Sequence, residues 1–142
     1  MIAVDANILI YAHRGDSPHH LVAAQCMTTL ATGLGSWAIP WPCLHEFFAI
    51  VTQRIYLPPS TTQEAINQIE IWLESPGLVM LAESGRHWSE LREMIVAGHV
   101  AGPRVHDARI AAICRQHGVR ELWSADRDFS RFANLKTVNP LL

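Results

Sequence analysis

The sequence predicts an α/β fold built on a mainly parallel sheet. Short apolar runs of strand length alternate with longer segments of helical periodicity, and Gly or Pro clusters stand at most of the junctions between them. No internal repeat, low-complexity tract or linker interrupts the 142 residues, so a single domain spanning 1–142 is expected.

Met1 to Ala6 is an apolar run of the buried-strand type, continued after Asn7 by Ile8-Leu9-Ile10. Gly15-Asp16-Ser17-Pro18 reads as a turn that starts a helix over Pro18 to Ala31, with Ser17 as N-cap and Pro18 in the first helical position; Gly33 and Gly35 close it. Trp37 to Ile39 is a second strand. Pro40 and Pro42 break the chain before a helix of roughly Cys43 to Arg54, and Pro58-Pro59 is a harder break. Ser60-Thr61-Thr62-Gln63 has capping-box character and opens a helix to about Glu74, with Ile66, Ile69 and Leu73 on one face.

Pro76-Gly77 turns the chain into a third strand, Leu78 to Leu81. A helix follows from Ser84 or Gly85 to about Ala97, its stripe being Trp88, Leu91 and Ile95. Gly98 and Gly102-Pro103 separate it from a helix over Val105 to His117, closed by Gly118. Glu121 to Ala125 is the fourth strand and Thr137-Val138 a candidate fifth. Parallel sheets place functional groups at the carboxyl ends of their strands.

Composition narrows the function classes. Hydrophobic residues are 49% and charged residues only 17%, so each carboxylate is worth locating. No apolar stretch approaches the roughly 20 residues that span a bilayer, and no basic segment precedes an apolar one at the start, so no membrane association and a cytoplasmic location are expected. Cys26, Cys43 and Cys114 show no close-pair spacing and lie among apolar neighbours, which favours reduced, buried thiols over a zinc site or disulfide frame. His19-His20 follows Ser17-Pro18 at a helix start and reads as solvated. The net charge of −2, from ten arginines, one lysine and thirteen acids, gives no support to simple backbone binding of nucleic acid. It leaves room for an enzyme that holds an anionic substrate partly through metal ions.

The acids carry the chemistry. Of five aspartates, Asp5 ends the first strand, Asp126 and Asp128 lie just past the fourth, Asp107 lies near the start of a helix, and only Asp16 sits in an ordinary turn. The ends of parallel strands one and four face the same edge, so Asp5 and Asp126 can converge there. Asp5 interrupts an apolar segment, where a carboxylate is costly unless capped, paired or bound to a cation. Either it caps the following turn or it serves a site. Asn7, on the same side if the backbone stays extended, has an amide suited to holding it. Ile110, Ala111 and Cys114 stand at i+3, i+4 and i+7 from Asp107, so this acid lies along a core stripe, although the helix N-terminus also suits an anion. Glu46 sits in Cys43-Leu44-His45-Glu46-Phe47-Phe48, a nearly all-apolar helix that should be largely buried; it either faces out or needs a partner. Asp128 either joins the group, pairs with Arg127 or Arg131, or caps a short turn.

Four carboxylates brought together cannot all stay ionised without cations. An Asp/Glu-only set without Cys or His suits Mg²⁺, and two such ions about 4 Å apart can activate water and stabilise a leaving oxygen. Phosphodiester hydrolysis is the chemistry implied. Neither a Walker-type loop nor a Gly-x-Ser-x-Gly elbow is present.

On these residues the chain resembles the PIN-domain ribonucleases, in particular the VapC toxins of bacterial toxin–antitoxin pairs. The resemblance spans the chain and rests on Val4-Asp5-Ala6-Asn7-Ile8-Leu9, on Glu46, on Val105-His106-Asp107-Ala108-Arg109-Ile110-Ala111 and on Leu122-Trp123-Ser124-Ala125-Asp126-Arg127-Asp128-Phe129. It implies a three-layer α/β/α sandwich with a four- to five-stranded sheet. It further implies that Asp5, Glu46, Asp107 and Asp126 form the catalytic metal site for Mg²⁺, with Mn²⁺ as substitute, and that Asp5 and Asp107 are direct ligands. Asn7 would orient the cluster, Ser124 takes the place of a small hydroxyl residue, and Asp128 is a supplementary acid. Single-stranded RNA as substrate, a cognate antitoxin and a homodimer are implied as well.

Two other readings compete. Asp5-Ala6-Asn7-Ile8 faintly resembles the nucleophile loop of haloacid-dehalogenase-type phosphatases, but Asn7 stands where a second aspartate is needed and the only lysine, Lys136, follows the last acidic motif. A catalytically silent interaction module of the same fold would ordinarily have lost an acid, and here all four remain. Structural calcium binding lacks an EF-hand type of loop. Among the tryptophans, Trp41 is a candidate for stacking on RNA, while most of the five are expected to be core or interface anchors.

Overall fold

The computed structural model describes residues 1–142. Five strands, β1 (Ile2–Val4), β2 (Trp37–Pro40), β3 (Leu78–Leu81), β4 (Glu121–Trp123) and β5 (Thr137–Val138), form one sheet in the order β3-β2-β1-β4-β5. Every neighbouring pair is parallel. Six helices complete the three-layer α/β/α sandwich: α1 (Ala6–His13), α2 (His20–Thr32), α3 (Trp41–Val51), α4 (Thr62–Leu73), α5 (His87–Ala97) and α6 (Val105–Gln116). None is long and apolar enough to cross a membrane.

The core is drawn from strands with both faces covered. All four residues of β2 are buried, and Ala3, Val4, Leu122 and Leu81 join Ile8, Leu9, Phe47 and Ile113 from the helices. At about 25 cal/mol per Å², fully burying one such aliphatic side chain contributes roughly 1.5–3 kcal/mol.

From β1 the chain steps one way to β2 and β3, then crosses back to β4 on the other side of β1 and on to β5. The direction of winding therefore reverses between β1 and β4, the kind of point where a crevice opens beyond the strands' carboxyl ends. Register brings the two ends level: Val4 stands opposite Trp123, and the Asp5 N–H donates to the Trp123 carbonyl at 2.9 Å.

Several boundaries depart from the sequence expectation. Ile8-Leu9-Ile10 continues not the strand but a helix, because the Asp5 side chain caps α1 by accepting the Ala6 N–H. A helix preceding His20 is replaced by a turn in which Ser17 Oγ accepts the His19 N–H. Pro42 does not break α3; it occupies its first turn, where a missing N–H costs nothing. The capping box forms between Thr61 and Glu64, and the buried stripe of α4 runs through Ala65 and Trp72, leaving Leu73 exposed. On α5 the buried residue is Met94, while Trp88 is 65% exposed. The three cysteines are free, with Cys43 and Cys114 buried.

Candidate active site

The crevice at the winding reversal is acidic. Asp5 leaves β1 in extended conformation and serves as the N-cap of α1. Although 4% exposed, its carboxylate is fully engaged: Oδ1 accepts the Ala6 N–H at 2.8 Å and the Cys43 thiol at 3.5 Å, and Oδ2 accepts the Ser124 hydroxyl at 2.6 Å and the Asn7 amide at 3.2 Å. Ser124 follows β4 and stitches the two strand ends together. Its hydroxyl donates to Asp5 and accepts from the Asn7 amide and the Asp126 N–H. The Asn7 carbonyl oxygen in turn accepts the Ala125 N–H at 3.1 Å. Asn7 thus meets Asp5 from a helical position, not across an extended strand as the sequence suggested.

Asp107, Asp126 and Asp128 each offer a carboxylate oxygen within 4.8 Å of the others. Asp107 lies in the first turn of α6 and is half-buried. Asp126 caps the short 3₁₀ turn Arg127–Arg131 by accepting the Asp128 N–H, so the cap expected as one role of Asp128 belongs to Asp126. Asp128 pairs with Arg104 at 2.8 Å, and not with Arg127 or Arg131. Glu46 stands in the second turn of α3, exposed but on the side that shares a cleft with Asp107, so this helix is less enclosed than its apolar composition suggested.

Electrostatics bind these groups into one unit. Burial raises the Asp5 carboxyl above its ordinary range; the Ser124, Ala6 and Cys43 donors oppose that rise, and the charge of Asp126 adds to it. Asp107 is raised by desolvation and then by Asp126, Asp5 and Asp128, with Arg104 pulling the other way. Glu46 is raised by partial desolvation and by Asp5, Asp107 and Asp126. Mutual repulsion of this kind is relieved by a divalent cation. The donor set fits a hard, oxygen-seeking ion: Asp107, Asp126 and Asp128 converge, and Asp5 Oδ1 has only one strong donor, its second partner being a weak thiol. Burial drives the Cys43 thiol well above its ordinary pKa and pushes Cys114 up to about 12, so neither is a thiolate ligand.

Two depressions flank the acids. A cleft of about 300 Å³ between α3 and α6 is lined by His45, Glu46, His106, Asp107, Arg109 and Ile110. A shallower one of about 180 Å³, beyond β4, includes Ser124, Asp126, Arg127 and Asn139. The widest groove, about 610 Å³, lies elsewhere, between α2 and the β4–β5 edge, and is mainly apolar. Sequence reasoning missed Cys43, Arg104, His45 and His106 as neighbours of the acids. The two histidines are chain neighbours of Glu46 and Asp107, a signal that was available; Arg104 reaches Asp128 only through the fold.

A parallel α/β sheet with an acidic crevice between β1 and β4 defines a class, and residues 2–135 match the PIN domain: the chain belongs to the PIN-domain family. Within it, the chain is similar over its length to VapC ribonucleases. It is 32% identical to VapC ribonuclease Mb2897 of Mycobacterium bovis over 99% of this chain and 96% of the relative. It is also 32% identical to ribonuclease VapC31 of Mycobacterium tuberculosis, with both chains fully covered. The crystal structure of Mycobacterium tuberculosis VapC20, a sarcin–ricin loop cleaving toxin, superposes with a TM-score of 0.69 at 18% identity, covering 92% of this chain and 93% of that one. That of VapBC2 from Rickettsia felis, bound to a DNA fragment from its promoter, gives 0.69 at 20% identity, covering 97% and 98%.

Proposed function

We propose that the chain is a Mg²⁺-dependent endoribonuclease, the toxin of a toxin–antitoxin pair, which hydrolyses phosphodiester bonds in single-stranded RNA. The observation that carries this reading is the convergence of Asp107, Asp126 and Asp128 beside a buried, hydrogen-bonded Asp5 at the winding reversal of the sheet. The VapC ribonucleases it resembles, and the toxin–antitoxin complexes that share its fold, support the same conclusion, including a cognate antitoxin as partner.

Asp107 and Asp126 would hold the ion together with Asp5, and Asp128 would supplement them. When bound there, Mg²⁺ or Mn²⁺ supplies a Lewis acid that lowers the pKa of a water and neutralises charge on the phosphate. Ser124 and Asn7 fix the orientation of Asp5 Oδ2, which leaves Oδ1 facing its weakest donor. Glu46, on the α3 wall with its pKa raised, is suited to take a proton from the attacking water. Arg104 keeps Asp128 from adding its full charge to the repulsion. The chain acts as a homodimer in this reading.

The test is cleavage of total cellular RNA by the purified, antitoxin-free chain with Mg²⁺ or Mn²⁺. Discrete products that vanish with Asp5→Asn and with a chelator are expected. Products that survive both would overturn the proposal.

A further inference from the structure

We propose that the cleft between α3 and α6 is a nucleobase pocket, in which His45 and His106, with Trp41 at the rim, clasp the unpaired base next to the phosphate addressed by the acids. The inference rests on the nuclease reading and adds to it the group of the substrate that this wall recognises.

The acids form a divide between two depressions. Glu46 and Asp107 belong to the wall of the α3–α6 cleft, and Asp126 to that of the shallower one beyond β4. A single strand laid with a phosphate over the divide sets one nucleoside above each depression. The α3–α6 cleft, at about 300 Å³, has Ile110, a buried aliphatic residue, in its lining, and imidazoles from two different helices, His45 and His106. Trp41 adjoins it: its ring centroid lies 6.1 Å from that of His45, with the planes 35° apart. At 37% exposure in the first turn of α3, this indole is left partly uncovered by the fold.

The charges near the cleft argue for a base over a second phosphate. Arg109 is held by Glu83 at 2.6 Å and Arg104 by Asp128 at 2.8 Å, so both guanidinium groups are already paired. Apart from the acids Glu46 and Asp107, what remains on the walls is the two imidazoles with Pro42 and Ile110. A neutral imidazole offers one donor and one acceptor to the edge of a base, while its face and that of an indole stack on any base. Flat faces plus edge-directed nitrogens are the requirements for holding a splayed-out nucleobase.

The experiment uses the full chain in EDTA, titrated with adenosine, guanosine, cytidine and uridine, with tryptophan fluorescence as readout. Nucleosides carry no phosphate and need no metal, so binding reports the base pocket alone. At least one nucleoside is expected to quench the wild type, and Trp41→Phe to remove the quench. His106→Ala, which keeps the reporter, is expected to weaken binding about tenfold, the scale of one lost stacking partner. Thermal unfolding checks that each variant is folded. No quenching by any nucleoside, quenching that persists in Trp41→Phe, or unchanged affinity in His106→Ala would overturn the pocket. Nucleoside binding without RNA cleavage would sink the nuclease reading and leave the pocket standing. RNA cleavage with an unchanged KM in Trp41→Leu and His106→Ala would sink the pocket alone.

Discussion

Replacing Asp107 with Asn should stabilise the metal-free protein while removing its response to metal. An oxygen of Asp107 lies within 4.8 Å of an oxygen on Asp126 and another on Asp128. At that separation each like-charge pair costs about 1 kcal/mol in water-like surroundings, and a few times more where solvent is excluded. Asp107 is half-buried and Arg104 offsets part of the Asp128 term, so the screened end of that range applies. Loss of an anion from the first turn of α6 gives back roughly 0.5 kcal/mol. A net gain of about 1 kcal/mol follows for Asp107→Asn in EDTA. The pH dependence carries the same sign. The Asp107 carboxyl is raised in the folded state, so its contribution is most favourable below the unfolded carboxylate pKa, near 3.9, and is lost as pH rises through the raised folded value. The advantage of the Asn variant should therefore open between acid and neutral pH. Urea unfolding monitored by tryptophan fluorescence, at several pH values, in EDTA and in Mn²⁺, measures all of this. Mn²⁺ should stabilise the wild type and have far less effect on the variant. A variant less stable than wild type in EDTA, or an equal gain from Mn²⁺ in both, would refute the argument that repulsion at this site is relieved by a cation.

Other outcomes follow from the same geometry. Ser124→Ala should lower RNA cleavage and Mn²⁺ affinity by roughly 10- to 100-fold, the range for losing a partner that orients a ligand, with isothermal titration as the check. Thr61→Ala should cost about 1 kcal/mol of stability through loss of its cap on α4, with Mn²⁺ affinity unchanged, because the capping box with Glu64 belongs to an element that supplies none of the acids. Leu122→Ala, in the buried centre of β4, should cost about 2–5 kcal/mol in urea unfolding. Trp88→Ala, on the exposed face of α5, should change stability by less than about 0.5 kcal/mol, contrary to its place in the apolar stripe read from sequence.

What the sequence by itself determined is the order of elements and the positions where acids interrupt apolar runs. Strand identity was readable at Trp37-Ala38-Ile39 because both faces of a central parallel strand are covered, which demands an unbroken apolar run. It was readable at Leu78 to Leu81 from an apolar run of strand length after the Pro76-Gly77 turn, although this edge strand leaves Val79 exposed. The start of α1 was not, since Ile8-Leu9-Ile10 suits a buried strand or a buried helix equally, and the choice is made by the Asp5 cap. Trp88 was misplaced because periodicity finds a stripe without knowing what lies opposite it. The approach of Asp5 to Ser124 was foreseeable from parallel strand ends meeting one edge. Asp107 and Asp128 were legible as candidate acids, but that their oxygens converge with one of Asp126, that Arg104 steadies Asp128, and that two histidines face one cleft were decided only by tertiary structure. Those contacts join segments distant in the chain, and their geometry depends on sheet order and helix packing, which no local pattern encodes.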